Sequence, residues 1–492
     1  MVNKFIKPTI ILLSISLILG VSVFIYNANN DYSVSKHFVG LPLQYDAYES
    51  SSTYRFNDVD VIVFGGFVKG IINEKDGSQN LLIRALSPLP TIQIESDKTT
   101  SISLMLENIN PDYYAQSVSD YGLPMAKLTV NTLQITVAVN QESTVSIDPT
   151  EPIDSADKYI VLGDNRDGYD TFEQIIQEIN GLNPAFVIDN GDLVFNGKPN
   201  QYRLFDNLTA KISTTLCTTL GNHDIRGDGR QIYTMLYGPP YYSFDFSNSH
   251  FIFLDSSPGW SEMQAISDKQ YVWLENDLKK SQRKKIYVIS HIPPYDPRSD
   301  VSKNEIPNYI QMAESGENWV EKKLDNYYEN MDMDHGFQDP EEARKFEELM
   351  SAYHVETVYL SHIHSYFDYY KDGVRYLISG GAGAELLTED SYYHYLIAKF
   401  EDTNSLTMVE LPSPSNYYIA RYQATIKLFA DALYKENTIA VVLLIAGFSL
   451  LVVLLAIKFY LWKKQTMDKF GKWLVDIAKY SVKRFKEIFS NK

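Results

Sequence analysis

Between residue 32 and about residue 150 the chain alternates apolar and polar positions with a period of two. "DVDVIVFGGF", "NLLIRAL", "TIQIES", "TSISLMLENI" and "LTVNTLQITVAV" are runs of this kind, set apart by turn residues. Alternation puts one face of a strand on a core and the other in water. The pattern predicts half-buried strands with no helix among them, in an all-β, immunoglobulin-like sandwich over residues 31–150. "TEPIDSADK", with its Pro and acidic residues, reads as a linker.

After Lys158 the rhythm changes. "YIVLGDNRDG" is an apolar run entering a polar loop, followed by a 3.6-residue period that puts Phe172, Ile175, Ile176 and Ile179 on one helical face. "PAFVIDNGD", "CTTLGNHD", "KIYVISHIPP" and "VETVYLSHIH" repeat the apolar run and its polar end. This rhythm predicts a layered α/β unit. Each of the five runs ends in Asp, Asn or His, and in such folds sites gather at the carboxyl ends of strands, so the five loops are expected to converge. Hairpins punctuate the series, at "YYSFDFSNSHFIFLD" and at "YFDYYKDGVRYLIS" with Asp-Gly at its turn. Residues 296–340, acidic and Tyr-rich without clear period, read as an irregular insertion, with a lid or partner surface as the alternative.

Two segments break the soluble pattern. "TIILLSISLILGVSVFIY" (Thr9–Tyr26) follows Lys4 and Lys7 and carries no charge. No small-x-small site closes it, so residues 1–30 are read as an uncleaved anchor, with a cleaved signal peptide as the alternative. "TIAVVLLIAGFSLLVVLLAI" (Thr438–Ile457) predicts a transmembrane helix over residues 438–458. Charge orients the pair. The net charge is −18 overall, but +7 over residues 458–492, +2 over residues 1–26 and −27 between them. By the positive-inside rule this is a multi-pass cell-membrane protein with both termini cytoplasmic and the acidic middle extracytoplasmic. In the tail, residues 459–492, Phe470, Trp473, Leu474, Ile477, Ser481, Phe485 and Ile488 follow helical spacing with lysines between them. A basic amphipathic helix on the anionic inner leaflet is one reading, and a helix packed on a partner is the other.

The acidic middle argues against a nucleic-acid-binding surface, which needs clustered positive charge. It leaves a phosphorylated substrate open, because bound cations reverse the field locally. The single cysteine, Cys217, excludes an intrachain disulfide and reads as a small buried side chain. Asn207-Leu-Thr is a glycosylation triplet.

The candidate chemistry lies at the loop ends. His362 and His364 of "YLSHIHSY" are two apart, the spacing at which strand side chains share a face, and so are expected to point toward one or two ions. Taken singly, Asp164 and Asp192 would cap turns and Asn222 would satisfy a loop backbone. In order and spacing, however, "GDNRD", "NGDLV", "GNHD", "SHIPP" and "SHIH" resemble the motifs of the calcineurin-like metallophosphoesterases, over about residues 157–411. "YYSFDF" leading to "FIFLDSS", the Gln270, Trp273 and Leu274 of "QYVWL", and "SGGAG" support the resemblance.

The resemblance implies an α/β sandwich of two sheets flanked by helices and a hydrolase for phosphate mono- or diesters, small or macromolecular. It implies two divalent metal ions, Mn, Fe or Zn, about 3.5–4 Å apart, which clamp a phosphoryl oxygen and generate hydroxide from water. By position, Asp164 and His364 would bind the first ion, Asn222, His291 and His362 the second, and Asp192 both. His223 would serve the leaving group or the transition state, with Asp224 fixing its tautomer. One position departs. The family's first motif usually reads Asp-x-His, and here the third residue is Arg166, which has no lone pair for a metal. Either Asn165 or Asp167 supplies the missing ligand, or the first site is weaker, or Arg166 grips a substrate phosphate. Phe195 stands where purple acid phosphatases carry a metal-binding tyrosine, which argues against an iron-tyrosinate centre. His37, His250, His335, His354 and His394 lack a surrounding motif and are read as loop or packing residues. The rival reading is a catalytically degenerate, membrane-anchored binding ectodomain of the same fold.

Overall fold

The computed structural model describes residues 2–30, 38–40, 51–74, 76–150, 157–257, 265–282, 284–300, 335–386, 391–400, 405–413, 417–436 and 438–490. They form two units: Asn30–Ala432, and Met1–Asn29 with Leu433–Lys492.

Among the described residues the alternating region forms ten strands: β1 (Phe38–Gly40), β2 (Ser51–Phe56), β3 (Val59–Phe64), β4 (Gly66–Asn73), β5 (Gln79–Ala85), β6 (Thr91–Ser96), β7 (Thr100–Glu107), β8 (Met125–Thr129), β9 (Thr132–Val139) and β10 (Ser143–Ile147). Two sheets result, in the orders β1-β4-β5-β7-β9-β8 and β10-β6-β3-β2. Val61, Val63, Leu81, Ile92, Ile94, Leu104 and Val137 are fully buried, the period-two face expected from the sequence. Two features depart from an antiparallel sandwich without helices. β5 and β7 pair in parallel, because the strand between them in sequence, β6, crosses to the other sheet. Pro111–Tyr114 and Ala115–Asp120 form short helical turns, opened by the Asn110 side chain accepting from the Asp112 N–H. Turns this short are below the length at which helical periodicity is visible.

The second region carries β11 (Lys158–Leu162), β12 (Phe186–Asp189), β13 (Thr215–Thr218), β14 (Tyr242–Phe246), β15 (Ser249–Phe253), β16 (Lys285–Ile289), β17 (Thr357–Leu360), β18 (Tyr366–Lys371), β19 (Val374–Ser379), β20 (Tyr393–Lys399) and β21 (Thr407–Leu411). One sheet runs β13-β12-β11-β20-β21 and the other β14-β15-β16-β17-β19-β18. β11, β12 and β13 are parallel to one another, as are β15, β16, β17 and β19. Between the sheets lies an aromatic core in which Tyr159 stacks on Phe186 at 5.4 Å and meets the Tyr359 hydroxyl at 2.8 Å. Outside the first sheet, helix Tyr169–Leu182 buries Phe172, Ile175, Ile176 and Ile179 and stops at left-handed Asn183. Outside the second, helix Asp268–Ser281 starts at Ser267, whose hydroxyl accepts from the Gln270 N–H, and helix Pro340–Ala352 starts at Asp339, which accepts from the Glu341 N–H. The helix–sheet–sheet–helix layering is the one the resemblance implies.

The β region packs on this unit. Phe67 and Leu86 join the inter-sheet core. Asn108, at φ +62°, donates to the Leu216 carbonyl and accepts from the Leu216 N–H, both at 2.9 Å. Leu216 lies on β13, an edge strand, so one side chain closes a backbone ladder that would otherwise be open. Beside it, half-buried Glu107 accepts from Lys69 at 2.6 Å and from Arg84 at 3.1 Å, and the Arg84 guanidinium lies over the Tyr237 ring.

In the other unit, the helix Thr438–Ser490 is long and apolar enough to cross a membrane over Thr438–Tyr480, with a mean hydropathy of 3.1 and none of its most apolar stretch buried in protein. It runs on without a break where a separate tail helix was expected, and Phe470, Trp473, Leu474 and Ile477 are exposed along it. The Ser481, Phe485 and Ile488 side chains lie outside the described residues. Of helix Val2–Asn30, the stretch whose side chains are described, Pro8–Val23, is apolar but by itself shorter than a membrane span. Gly447 lets the two helices approach closely: a Cβ there would stand 3.2 Å from Leu17.

Cys217 is buried, with a free thiol, in the inter-sheet core. Asn207 lies within helix Pro199–Thr209, its amide given to the Arg203 carbonyl, which is not the open loop a glycosylation acceptor needs. Most of the 296–340 insertion, and His37, lie outside the described residues.

Candidate metal centre

The five loops converge. Asp164 follows β11, Asp192 follows β12, Asn222 follows β13, His291 follows β16, and His362 and His364 follow β17. Asp164, Arg166, Asp192 and His362 have φ of +58°, +42°, +56° and +68°. Left-handed backbone at non-glycine residues costs on the order of 1–2 kcal/mol each, and its concentration here marks a site held against its local preference. Gly221 has no alternative, since a Cβ would fall 2.1 Å from Asp192 Oδ1.

Two triads of ligand atoms form, each with all members within 4.8 Å of one another: Asp192 with His291 and His362, and Asp164 with Asp192 and His364. Asp192 is common to both. The two histidines are not placed by strand alternation, as the sequence suggests, because β17 ends at Leu360. Instead the left-handed turn at His362 sends the two rings to different triads.

The donors suit divalent cations. His291 gives its Nδ1–H to the Asn190 carbonyl at 2.9 Å, so its Nε2 lone pair faces Asn222 Oδ1 at 3.2 Å and Asp192 Oδ1 at 3.3 Å. Three electron-rich atoms converge there without a proton between them, an arrangement a cation relieves. On the other side His364 gives its Nδ1–H to the Glu385 carbonyl at 2.5 Å, and its Nε2 stands 3.7 Å from Asp164 Oδ1. Asp164 Oδ1, His362 Nδ1 and His364 Nε2 are buried without a hydrogen-bond partner. Unsatisfied buried polar atoms cost about 1–3 kcal/mol each, and a bound ion is one explanation for retaining them together. Ser361 steadies the first side by donating to Asp164 Oδ2 at 2.8 Å.

Burial and the nearby Asp192 charge push the Asp164 carboxyl up to about 7, against the pull of His291 and Arg166. Burial also opposes charge on Asp192, yet His223, His291 and Arg166 outweigh it and hold this carboxyl well below the usual range. Of these only Arg166 is charged at every pH. Burial lowers His362 well below the ordinary imidazole range and His364 to about 3, leaving both neutral, the form that ligates metals.

Arg166 turns inward. Its Nε donates to Asp192 Oδ2 and its Nη1 to Glu385 Oε1, both at 3.0 Å, and the residue is 6% exposed. Neither neighbour offered as a substitute ligand faces the ions: Asn165 donates to Asp189 Oδ2 and accepts from the Arg166 N–H, both at 3.0 Å, and Asp167 accepts from Arg421 at 2.8 Å.

His223 stands beside the shared carboxylate, its Nε2 4.0 Å from Asp192 Oδ2. Its tautomer is set by the Phe195 carbonyl, 2.7 Å from Nδ1, and not by Asp224. Asp224 instead accepts from the backbone N–H groups of Val194 and Gly221, at 3.0 and 2.8 Å, and so pins the loops that follow β12 and β13 together. Arg226 donates to His223 Nε2 at 2.8 Å. Burial first, then Arg166 and Arg226, lower His223 to about 4 despite the attraction of Asp192, so it is neutral at pH 7.

Sequence reasoning passes over three groups at the site. Glu385 lies 219 residues from Arg166 and follows "SGGAG" with no motif of its own. Arg226 lies three residues after His223, a spacing that signals little outside a helix. His335, set aside as a loop residue, brings its ring to 5.2 Å from that of His362, with its Nδ1 accepting from Arg298 and its N–H donating to Asp296. Two further histidines are structural: His250 bridges Asp245 and Asp277 at 2.7 and 2.8 Å, and His394 is fully buried against Ser379 and the Tyr392 carbonyl.

Residues 158–366 match the model of the Calcineurin-like phosphoesterase family. Two curated relatives are the glycerophosphodiester phosphodiesterase GpdQ of Enterobacter lignolyticus (strain SCF1), 27% identical over 129 residues, and the probable glycerophosphodiester phosphodiesterase GpdQ of Arcobacter nitrofigilis, 28% identical over 132 residues. Each match covers 24% of this chain, and the chain spans about half the length of these relatives, 46%. Among solved structures, the purple acid phosphatase PPD1 of yellow lupin (Lupinus luteus) seeds aligns over 66% of this chain and 71% of its own, at 13% identity and a TM-score of 0.39. From the loop ends, the shared aspartate and the family match together, residues 158–366 are a calcineurin-like phosphoesterase domain.

Proposed function

We propose that this chain is a metal-dependent phosphoesterase that hydrolyses phosphate mono- or diesters at a dinuclear centre. The observation that supports it best is the pair of triads sharing Asp192, with lone pairs of Asp164, His362 and His364 buried and unpartnered. Asp164, Asp192 and His364 would hold one ion, and Asp192, Asn222, His291 and His362 the other. Two divalent ions supply Lewis acidity and an activated water when bound. The chain's own residues do the rest. Hydrogen bonds from His291 to the Asn190 carbonyl, from His364 to the Glu385 carbonyl and from Ser361 to Asp164 orient these side chains. His223, with Nδ1–H fixed on Phe195, presents Nε2 toward the shared aspartate; an entering phosphate that draws Arg226 away and adds negative charge would raise the ring's proton affinity and make it a donor to the leaving oxygen. The curated relatives are named as glycerophosphodiester phosphodiesterases, so diesters come first as test substrates. The purified chain should hydrolyse an aryl phosphodiester or monoester with Mn²⁺, Fe²⁺ or Zn²⁺ and lose the activity to a chelator; metal-replete protein without turnover on any phosphoester would sink the reading.

We also read the chain as anchored by its terminal helices, with the catalytic part outside. The charge asymmetry and the apolar helix Thr438–Ser490 support this. The proposed parts are an anchor over residues 1–30, a β domain over 31–150, the phosphoesterase unit over 157–411, a span over 438–458 and a cytoplasmic tail over 459–492. Protease added to intact cells should remove the segment 31–437 and spare an epitope on the tail. A second reading, a binding ectodomain without turnover, draws on the Arg166–Asp192 ion pair. It predicts ligand binding that a chelator leaves unchanged.

A further inference from the structure

Asp192 divides its two oxygens unequally. Oδ1 accepts from the His223 N–H at 2.9 Å and faces His291 Nε2 at 3.3 Å, so it is directed toward the side with Asn222, His291 and His362. Oδ2, the oxygen a second ion would need, is taken by the Arg166 guanidinium at 3.0 Å. The other arm of that guanidinium is held at 3.0 Å by Glu385, whose backbone carbonyl also fixes the His364 ring. One residue therefore touches both the competing cation and a ligand of the position being competed for. A fixed positive charge on Oδ2 of the shared carboxylate opposes a divalent ion at the Asp164–His364 side, whose oxygen it occupies, more than at the Asn222–His291 side. Neither Asn165 nor Asp167 compensates, since both are engaged elsewhere.

We propose that Arg166 and Glu385 form a latch on the first metal position. Arg166 stands in for a cation on Asp192 Oδ2, so the Asn222–His291–His362 side loads first, and an ion enters between Asp164 and His364 only when the guanidinium leaves Asp192 and settles on Glu385. Arg166 is thus a positioning residue for the metals. The latch rests on the dinuclear reading above, and its test reads ion occupancy, not turnover.

The experiment uses the full chain in detergent, stripped of metal and titrated with Mn²⁺, with bound ions counted by elemental analysis, affinities taken from calorimetry, and paired ions detected by electron paramagnetic resonance. Wild-type protein should bind one ion tightly and a second at least about tenfold more weakly. Arg166→His, which restores an imidazole and removes the competing charge, should bring the second affinity to within about threefold of the first. Glu385→Gln should act in the opposite direction and weaken the second ion further, because the displaced guanidinium has lost its acceptor charge; this variant leaves Arg166 in place. Two ions of equal affinity in the wild type, or a second affinity unmoved by both substitutions, overturn the latch and leave the dinuclear reading standing. No bound ion in the wild type overturns the dinuclear reading itself.

Discussion

The two halves of the centre are built from similar ligands and differ in their company. On one side Asn222, His291 and His362 face Asp192 with no permanent charge among them beyond the carboxylate. On the other, Asp164 and His364 share Asp192 with a buried arginine that Glu385 holds in place. A metal site is thus specified by what competes for its ligands as much as by the ligands.

The largest effect is expected where the halves meet. Asp192→Asn should abolish measurable occupancy of both positions and lower turnover by about 10³-fold or more, measured by elemental analysis and initial rates on the same preparation. A protein that kept one tight ion would show that the halves are independent. Next come the unshared ligands. His291→Ala should empty the tighter position and His364→Ala only the weaker one, each by at least about 10–100-fold in affinity, read by calorimetry. Equal losses in both variants would erase the asymmetry.

A smaller effect separates the halves by pH. Asp164 is raised to about 7, so in the metal-free protein it keeps its proton below that pH, and an entering ion must displace it. Affinity at the Asp164–His364 side should therefore fall by up to about tenfold per pH unit below 7 and level off above it. His362, shifted well below the ordinary range, stays neutral through the same interval, so it adds no such dependence on its own side. Calorimetry in buffers of different ionisation heat should detect proton release on binding at pH 6 for the weaker ion. The smallest effect is a control outside both halves. Asn108→Ala leaves the Leu216 N–H and C=O without their partner and should cost about 1–3 kcal/mol, a loss of several degrees in Tm, with ion stoichiometry unchanged. A changed stoichiometry would tie the β region to the centre.

Much of this architecture is legible in the sequence, because strands and helices announce themselves by local period and the ligands lie at run ends. The layered α/β unit, the face of Phe172, Ile175, Ile176 and Ile179, and the gathering of Asp164, Asp192, Asn222, His291, His362 and His364 follow from that. What local period cannot carry is pairing across the fold. Glu385 meets Arg166 only after the chain between them, a separation of 219 positions, has folded, and Asp224 lies next to His223 in sequence yet accepts from the backbone of Gly221 in its own loop and of Val194 in another. The parallel β5–β7 pair and the helix Ala115–Asp120 were hidden for related reasons, one a matter of which sheet a strand joins and the other too short to repeat.

The Asn108 clasp on Leu216 bears on how this protein can be handled. Trimming the chain to begin near Lys158 would bare a hydrogen-bonding edge and strip Phe67 and Leu86 from the aromatic core. Such a fragment would carry every ligand and still invite intermolecular strand addition, so the amino-terminal β layers belong in any soluble version of the catalytic part.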